Sequence, residues 1–101
     1  MKKFAIKPKE FWKVLTTTSR SQSATMVLKP GQSTGTEDNR HTDSDQWLYV
    51  IAGEGSAVVG GKRLRLKPHT LLLIEAGEYH EIKSGRASSL RTLNIYAPPT
   101  Y

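Results

Sequence analysis

The chain has 101 residues and a mass of 11.3 kDa, which suits one domain with a modest core and excludes a second catalytic module. Its longest apolar run, Trp47 to Ala52, has six residues, and Lys7 and Lys9 interrupt any signal-peptide segment, so we expect a cytoplasmic protein without membrane association. The chain lacks cysteine, which excludes disulfides and thiolate ligands, so any metal would be bound by His, carboxylate, amide or water.

The net charge of +6 is divided between two separate basic clusters. Residues 1–13 and 62–67 are basic, whereas residues 37–45 between them are mainly acidic. In the second cluster the basic residues alternate with leucines, which is typical of a half-buried strand with a solvated charged face. We therefore expect no nucleic-acid binding, since the basic residues do not form one continuous face.

The N-terminal residues 1–21 are expected to form an arm, in which residues 9–15 are either a short helix or an entering strand. From residue 22 onward, period-two segments and short apolar runs indicate strands. The clearest segments are 24–28, 47–52, 64–66 and 71–74.

Turn residues separate these segments, and the pair Gly60–Gly61 between two strand-like segments predicts a tight hairpin. We expect seven to nine strands and no long helix. The sequence therefore predicts a single all-β domain over residues 1–101.

The spacing of glycine and polar residues along this pattern resembles the cupin superfamily. The matching residues are Pro30-Gly31, Asn39-x-His41, Gln46, Gly53, Gly77-x-x-His80 and Asn94. The resemblance covers residues 22–99. It implies a double-stranded β-helix, or jelly-roll, in which two antiparallel sheets pack together.

Four residues stand at the ligand positions of the family's motifs. His41 and His80 match motif histidines, Asn39 stands where the first motif has a His, and Gln46 stands where it usually has a Glu. The resemblance implies that these residues hold a divalent transition metal such as Ni, Zn, Mn or Fe. An amide in place of the carboxylate leaves the charge of the ion uncompensated, which favours Lewis-acid chemistry over oxygen activation.

Side-chain parity predicts the walls of this pocket. Leu48 and Val50 share the parity of Gln46, and Ile82 shares that of His80, so we expect all three to form an apolar wall.

Two functions remain open. The first is a metal-dependent isomerase, lyase or dioxygenase acting on a small carbohydrate- or carboxylate-like ligand. The second is a metal-free cupin without catalytic activity, in which the same four residues hydrogen-bond a small molecule.

A homodimer is also expected, because strand 71–74 is apolar on both faces and Trp47 and Tyr49 have the parity opposite to the interior residues. The alternative is that residues 1–20 fold back over the same barrel and cover these side chains.

Overall fold

The protein is described by a computed structural model that covers residues 1–35 and 41–101, and this part of the chain contains eight strands. The strands are β1 (Trp12–Thr17), β2 (Gln22–Leu28), β3 (Asp45–Ala52), β4 (Gly55–Val59), β5 (Lys62–Leu66), β6 (Leu71–Ile74), β7 (His80–Ser84) and β8 (Leu90–Ala97). Within these same ranges no helix has the length and apolar character needed to cross a membrane.

The strands form two antiparallel sheets. One has five strands in the order β1-β2-β8-β3-β6, and the other has three in the order β5-β4-β7. The predicted all-β jelly-roll of two antiparallel sheets is therefore confirmed.

Two local predictions can be compared directly with the strands. Residues 9–15 lead into a strand and not a helix, because β1 pairs with β2 and places Trp12 opposite Met26. The turn between β4 and β5 is the predicted two-residue hairpin, in which Gly60 and Gly61 have φ values of 55° and 82°. Positive φ at both central residues matches the right-handed twist of the flanking strands, and glycine adopts it without steric cost.

The core lies between the two sheets and follows the period-two pattern. Its buried residues include Leu28, Leu48, Val50, Ile82 and Leu90, each at most 1% exposed. The opposite face of the five-stranded sheet is different. Trp47, Leu71 and Leu73 lie there and are 41%, 58% and 37% exposed.

The turn between β3 and β4 requires glycine at residue 53. Gly53 has a φ of +84°, and a Cβ atom added there would lie 2.1 Å from the carbonyl oxygen of Ser89. This close approach holds the end of β3 against the chain that enters β8.

We predict that Gly53→Ala lowers the free energy of unfolding by about 2–4 kcal/mol, because a left-handed backbone and a backbone clash both oppose the new methyl group. Urea denaturation measures the loss. Gly31→Ala is the matched control, since Gly31 has a φ of +78° but no atom within 4 Å of the added Cβ, and it should cost only about 1 kcal/mol. Equal losses in the two variants would show that the clash at Ser89 does not occur.

Candidate functional site

A cavity of about 500 Å³ lies at the end of the barrel where β3 and β7 begin and β8 ends. It is lined by Phe11, Trp12, Met26, Thr34, His41, Gln46, His80, Ile82, Tyr96 and Tyr101. No carboxylate is present in this part of the wall as the structure describes it. The polar groups are imidazole, amide and hydroxyl groups.

Two hydrogen bonds from main-chain amides bring the two histidines together. The Gly77 amide donates to the His41 carbonyl at 2.7 Å, and the Ala76 amide donates to Oδ1 of Asp45 at 2.9 Å. These bonds fasten the segment that enters β3 to the turn that enters β7, so the ring centroids of His41 and His80 lie 5.2 Å apart.

His80 is buried, and its orientation is fixed by one hydrogen bond. Its Nδ1–H donates to the carbonyl of Glu78 at 3.3 Å, because a carbonyl oxygen can only accept. The neutral ring then carries its lone pair on Nε2. A backbone acceptor on one ring nitrogen is the usual arrangement that prepares the other nitrogen as a metal ligand.

Gln46 is oriented by a short chain of buried side chains. Nδ2 of Asn94 donates to Oγ1 of Thr92 at 3.2 Å, and Nε2 of Gln46 donates to Oδ1 of Asn94 at 3.3 Å. The three residues are 0–4% exposed. With its NH₂ group engaged, Gln46 leaves Oε1 buried without a hydrogen-bond partner among the described residues. An unpaired buried oxygen is costly, which marks this atom as a candidate ligand-binding group.

The last two residues, Thr100 and Tyr101, lie against the other side of His41. Oγ1 of Thr100 is 3.3 Å from Nδ1 of His41, and the Tyr101 hydroxyl is 3.5 Å from Nε2. The Tyr101 ring packs edge-on against Trp12, Tyr96 and His41, with centroid separations of 5.0–5.4 Å. One wall of the cavity is therefore aromatic.

Burial keeps the site neutral near pH 7. It is the largest cause that lowers the pKa of His41, followed by the charge of His80, while the nearby Gln46 amide acts in the opposite direction. Burial also lowers the pKa of His80, partly offset by the Glu78 carbonyl and carboxylate. Both imidazoles are thus available as neutral ligands. Burial raises the pKa of Tyr96 and of Tyr101, so both phenols keep their protons.

The residues expected in the pocket from the sequence fall into three groups. His41, Gln46, His80 and Ile82 line the cavity. Leu48 and Val50 do not line it; they are fully buried in the core, because they lie farther along β3 and share only the facing direction of Gln46. Asn39 lies outside the described residues, as do Glu37, Asp38 and Arg40 of the acidic segment.

Several cavity residues were missed by the sequence reasoning. Trp12 and Tyr96 have the parity of interior residues, and that pattern could have indicated them. Tyr101 lies beyond the last strand, where no periodic pattern exists.

The donor set suits a divalent transition metal in part. Among the described residues no group of three His, Cys, Asp or Glu side chains could hold a metal ion. Two imidazoles that bind one ion through nitrogen at about 2.1 Å, at an angle near 100°, have ring centres about 5 Å apart. The observed 5.2 Å fits this spacing, and the unpaired Oε1 of Gln46 supplies a third, neutral donor.

Comparison with known proteins places the fold in a family. The sequence profile of the Cupin domain matches residues 24–96. A search of curated proteins finds no match.

Among solved structures, that of BH2720 from Bacillus halodurans has a TM-score of 0.87 and 26% identity, covering 93% of this chain and 74% of its own. The structure of KdgF from Halomonas sp. has a TM-score of 0.77 and 22% identity, and the match covers 87% of this chain and 77% of the KdgF chain. A protein from Thermotoga maritima described as a predicted oxalate decarboxylase has a TM-score of 0.73 and 26% identity. The match covers 80% of this chain and 69% of the Thermotoga chain.

We predict that the protein loses stability as the pH falls below about 6.5, the ordinary histidine pKa. Since folding lowers the pKa of His41 and His80, the unfolded state binds more protons in this range, and their contribution is complete only above it. Urea denaturation at pH 7.5 and pH 5 measures the change. The double variant His41→Gln/His80→Gln should lose part of this pH dependence, and an unchanged dependence would contradict the assignment.

Proposed function

The chain belongs to the cupin family, and we propose that it binds a divalent transition metal through His41, His80 and Gln46, together with a small carbohydrate- or carboxylate-like ligand. Ni, Zn, Mn and Fe are the candidate ions, because imidazole suits Ni, Zn and Fe, and the amide carbonyl oxygen suits Mn. Asn39, which the family motif also places at a ligand position, is proposed as a further donor.

The observation that carries this proposal is the unpaired Oε1 of Gln46. Gln46 is 4% exposed and its NH₂ group donates to Asn94, whereas its Oε1 has no hydrogen-bond partner among the described residues. It lies on the cavity wall with two neutral imidazoles. A metal ion or the polar group of a ligand would satisfy this oxygen.

The neutrality of the site indicates which chemistry it would support. A bound ion would act as a Lewis acid that polarises a carbonyl or carboxylate oxygen, which suits isomerase- or lyase-type reactions. The aromatic wall of Trp12, Tyr96 and Tyr101 offers apolar faces for a small ring, and the phenols offer hydrogen-bond donors for its oxygens.

The alternative is a metal-free cupin without catalytic activity. The neutral amide at position 46 favours it, since a carboxylate would bind a cation more strongly. In this case the same imidazole and amide groups hydrogen-bond the polar ligand directly.

Metal analysis by mass spectrometry, on protein purified without a histidine tag, separates the two functions. We predict that His41→Ala/His80→Ala lowers divalent-metal binding at least tenfold while the β-rich fold is retained, because the variant removes both nitrogen donors. His69→Ala is the control, since His69 contacts Tyr49 and does not line the cavity. Less than about a tenth of an equivalent of metal in the loaded wild type would favour metal-free binding. Unchanged metal content in the double variant would overturn the ligand assignment.

We further predict that Gln46→Glu tightens binding of Mn²⁺, Fe²⁺ or Ni²⁺, because it adds an anionic oxygen beside two imidazoles. Gln46→Leu, which removes Oε1 at similar volume, should weaken the same binding. Metal titration of both variants measures the effect. Equal or weaker affinity in a folded Gln46→Glu protein would mean that residue 46 does not face the ion.

A homodimer through the outer face of the five-stranded sheet is proposed as well. β6 is the edge strand of that sheet, and Leu71, Leu73 and Trp47 form an exposed apolar patch beside its edge. In the N-terminal arm, Lys7, Lys9 and Glu10 lie beside Leu15 of β1 and Thr25 of β2, and the Pro8 carbonyl accepts a hydrogen bond from Arg91 of β8. The arm thus leaves the β6 side open, and a second copy of the chain would cover it.

Light scattering at micromolar concentration tests the dimer, and we predict twice the mass of 11.3 kDa. Leu71→Lys should shift the population toward monomer, because it places a charge in the apolar interface. Leu64→Lys is the control at an exposed leucine of the other sheet. A monomeric wild type would contradict this assembly.

A further inference from the structure

The segment Pro98–Tyr101, here called the strap, places a hydroxyl group at each ring nitrogen of His41. Oγ1 of Thr100 lies 3.3 Å from Nδ1, and the Tyr101 hydroxyl lies 3.5 Å from Nε2. A neutral imidazole has one N–H and one lone pair, so one of these hydroxyls accepts a hydrogen bond and the other donates one. Any group that binds the lone pair of His41 must displace a hydroxyl of the strap.

The strap is held in place mainly by Gln22, which is 3% exposed. Nε2 of Gln22 donates to the Tyr101 carbonyl at 2.8 Å, and its Oε1 accepts from the Tyr101 amide at 2.9 Å. At the other end of the strap, Oγ of Ser44 donates to the Pro98 carbonyl at 2.6 Å. These bonds fix the backbone of the strap. The Tyr101 side chain is held separately, by ring contacts with Trp12, Tyr96 and His41 and by a side-chain hydrogen bond with Tyr96.

Geometry distinguishes the two hydroxyls. Tyr101 lines the cavity and Thr100 does not, so Nε2 is on the cavity side of the ring. The contact at Nε2 is also the longer one, and it is therefore the weaker hydrogen bond.

We propose that Tyr101 is an exchangeable cap on His41. Its hydroxyl donates to Nε2 in the metal-free protein, and a metal ion that binds Nε2 displaces it. Thr100 accepts from Nδ1–H and is a positioning residue that keeps the lone pair on Nε2. This inference rests on the metal site proposed above.

The cap has two consequences. It lowers metal affinity, because the ion must first break the hydrogen bond from the Tyr101 hydroxyl to Nε2 of His41. It also prepares a hydrogen-bond donor for the ligand, since the displaced phenol remains protonated beside Tyr96 and Trp12. Binding of the ion and recognition of an oxygen atom of the ligand are thereby linked through one side chain.

Calorimetric titration with Ni²⁺ alone tests this exchange in two single variants that should act in opposite directions. Tyr101→Phe keeps the ring and the main-chain bonds to Gln22, and should raise Ni²⁺ affinity about two- to tenfold, the size of effect that one neutral hydrogen bond has on an equilibrium. Thr100→Val removes the acceptor that fixes the tautomer, and should lower the affinity about tenfold or more.

Tyr49→Phe is the matched control. Tyr49 also contacts a histidine through its hydroxyl, 2.6 Å from Nδ1 of His69, but the pair is absent from the cavity wall. The Ni²⁺ affinity of the Tyr49→Phe variant should equal that of the wild type.

The ¹⁵N chemical shifts of His41 give a readout that does not involve metal. Near neutral pH, Nε2 should show the shift of an unprotonated imidazole nitrogen. That shift should move in Tyr101→Phe and stay unchanged in Tyr49→Phe. A protonated Nε2 in the metal-free wild type would overturn the cap.

The titration separates failure of the cap from failure of the metal site. If the wild type binds Ni²⁺ and Tyr101→Phe binds it equally or more weakly, the cap is overturned and the metal site stands. Lower Ni²⁺ affinity in Tyr101→Phe together with higher affinity in Thr100→Val would also overturn the cap, because the ion would then bind Nδ1 of His41. If neither the wild type nor Tyr101→Phe binds Ni²⁺, the metal site and the cap both fail.

Discussion

The direction of one side-chain amide determines what the cavity can bind. Thr92 and Asn94 lie inside the barrel on β8, and their hydrogen bonds hold the NH₂ group of Gln46 on β3. In this direction the Asn94 carbonyl accepts from Gln46, the Asn94 NH₂ group donates to Thr92, and the unpaired atom is the Gln46 oxygen. Oε1 of Gln46 is therefore left without a partner among the described residues, and the pairing of β3 with β8 sets Gln46 opposite Tyr96 at the cavity.

The absence of charge in the described cavity wall is the second constraint, and it contrasts with the net charge of +6 on the whole chain. Burial keeps His41 and His80 neutral and keeps the phenols protonated. A divalent ion held by two imidazoles and an amide would keep its full charge and attract an anionic or strongly polar oxygen. The proposed metal site would therefore favour binding and polarising a ligand over reactions that need an anionic ligand to the metal.

Much of the fold could be predicted from the sequence, because period-two alternation and glycine turns are local features. The motif spacing also indicated His41, Gln46 and His80 as neighbours, and all three line one cavity. Alternation along a strand shows which face a side chain is on, but not how far along the strand it lies from the cavity. For this reason Leu48 and Val50 were expected in the pocket wall, although they lie in the core. Tyr101 was missed because its position depends on Gln22, 79 residues earlier in the chain, and no local pattern reports such a contact.

The most direct test of the metal site is paramagnetic broadening of side-chain NMR signals by Mn²⁺ added well below one equivalent. If His41, His80 and Gln46 share an ion, their imidazole and amide signals should broaden first, while those of His69 on another part of the fold stay sharp. Sharp signals for all three residues, or broadening confined to exposed acidic residues such as Asp43, would contradict a metal site in this cavity.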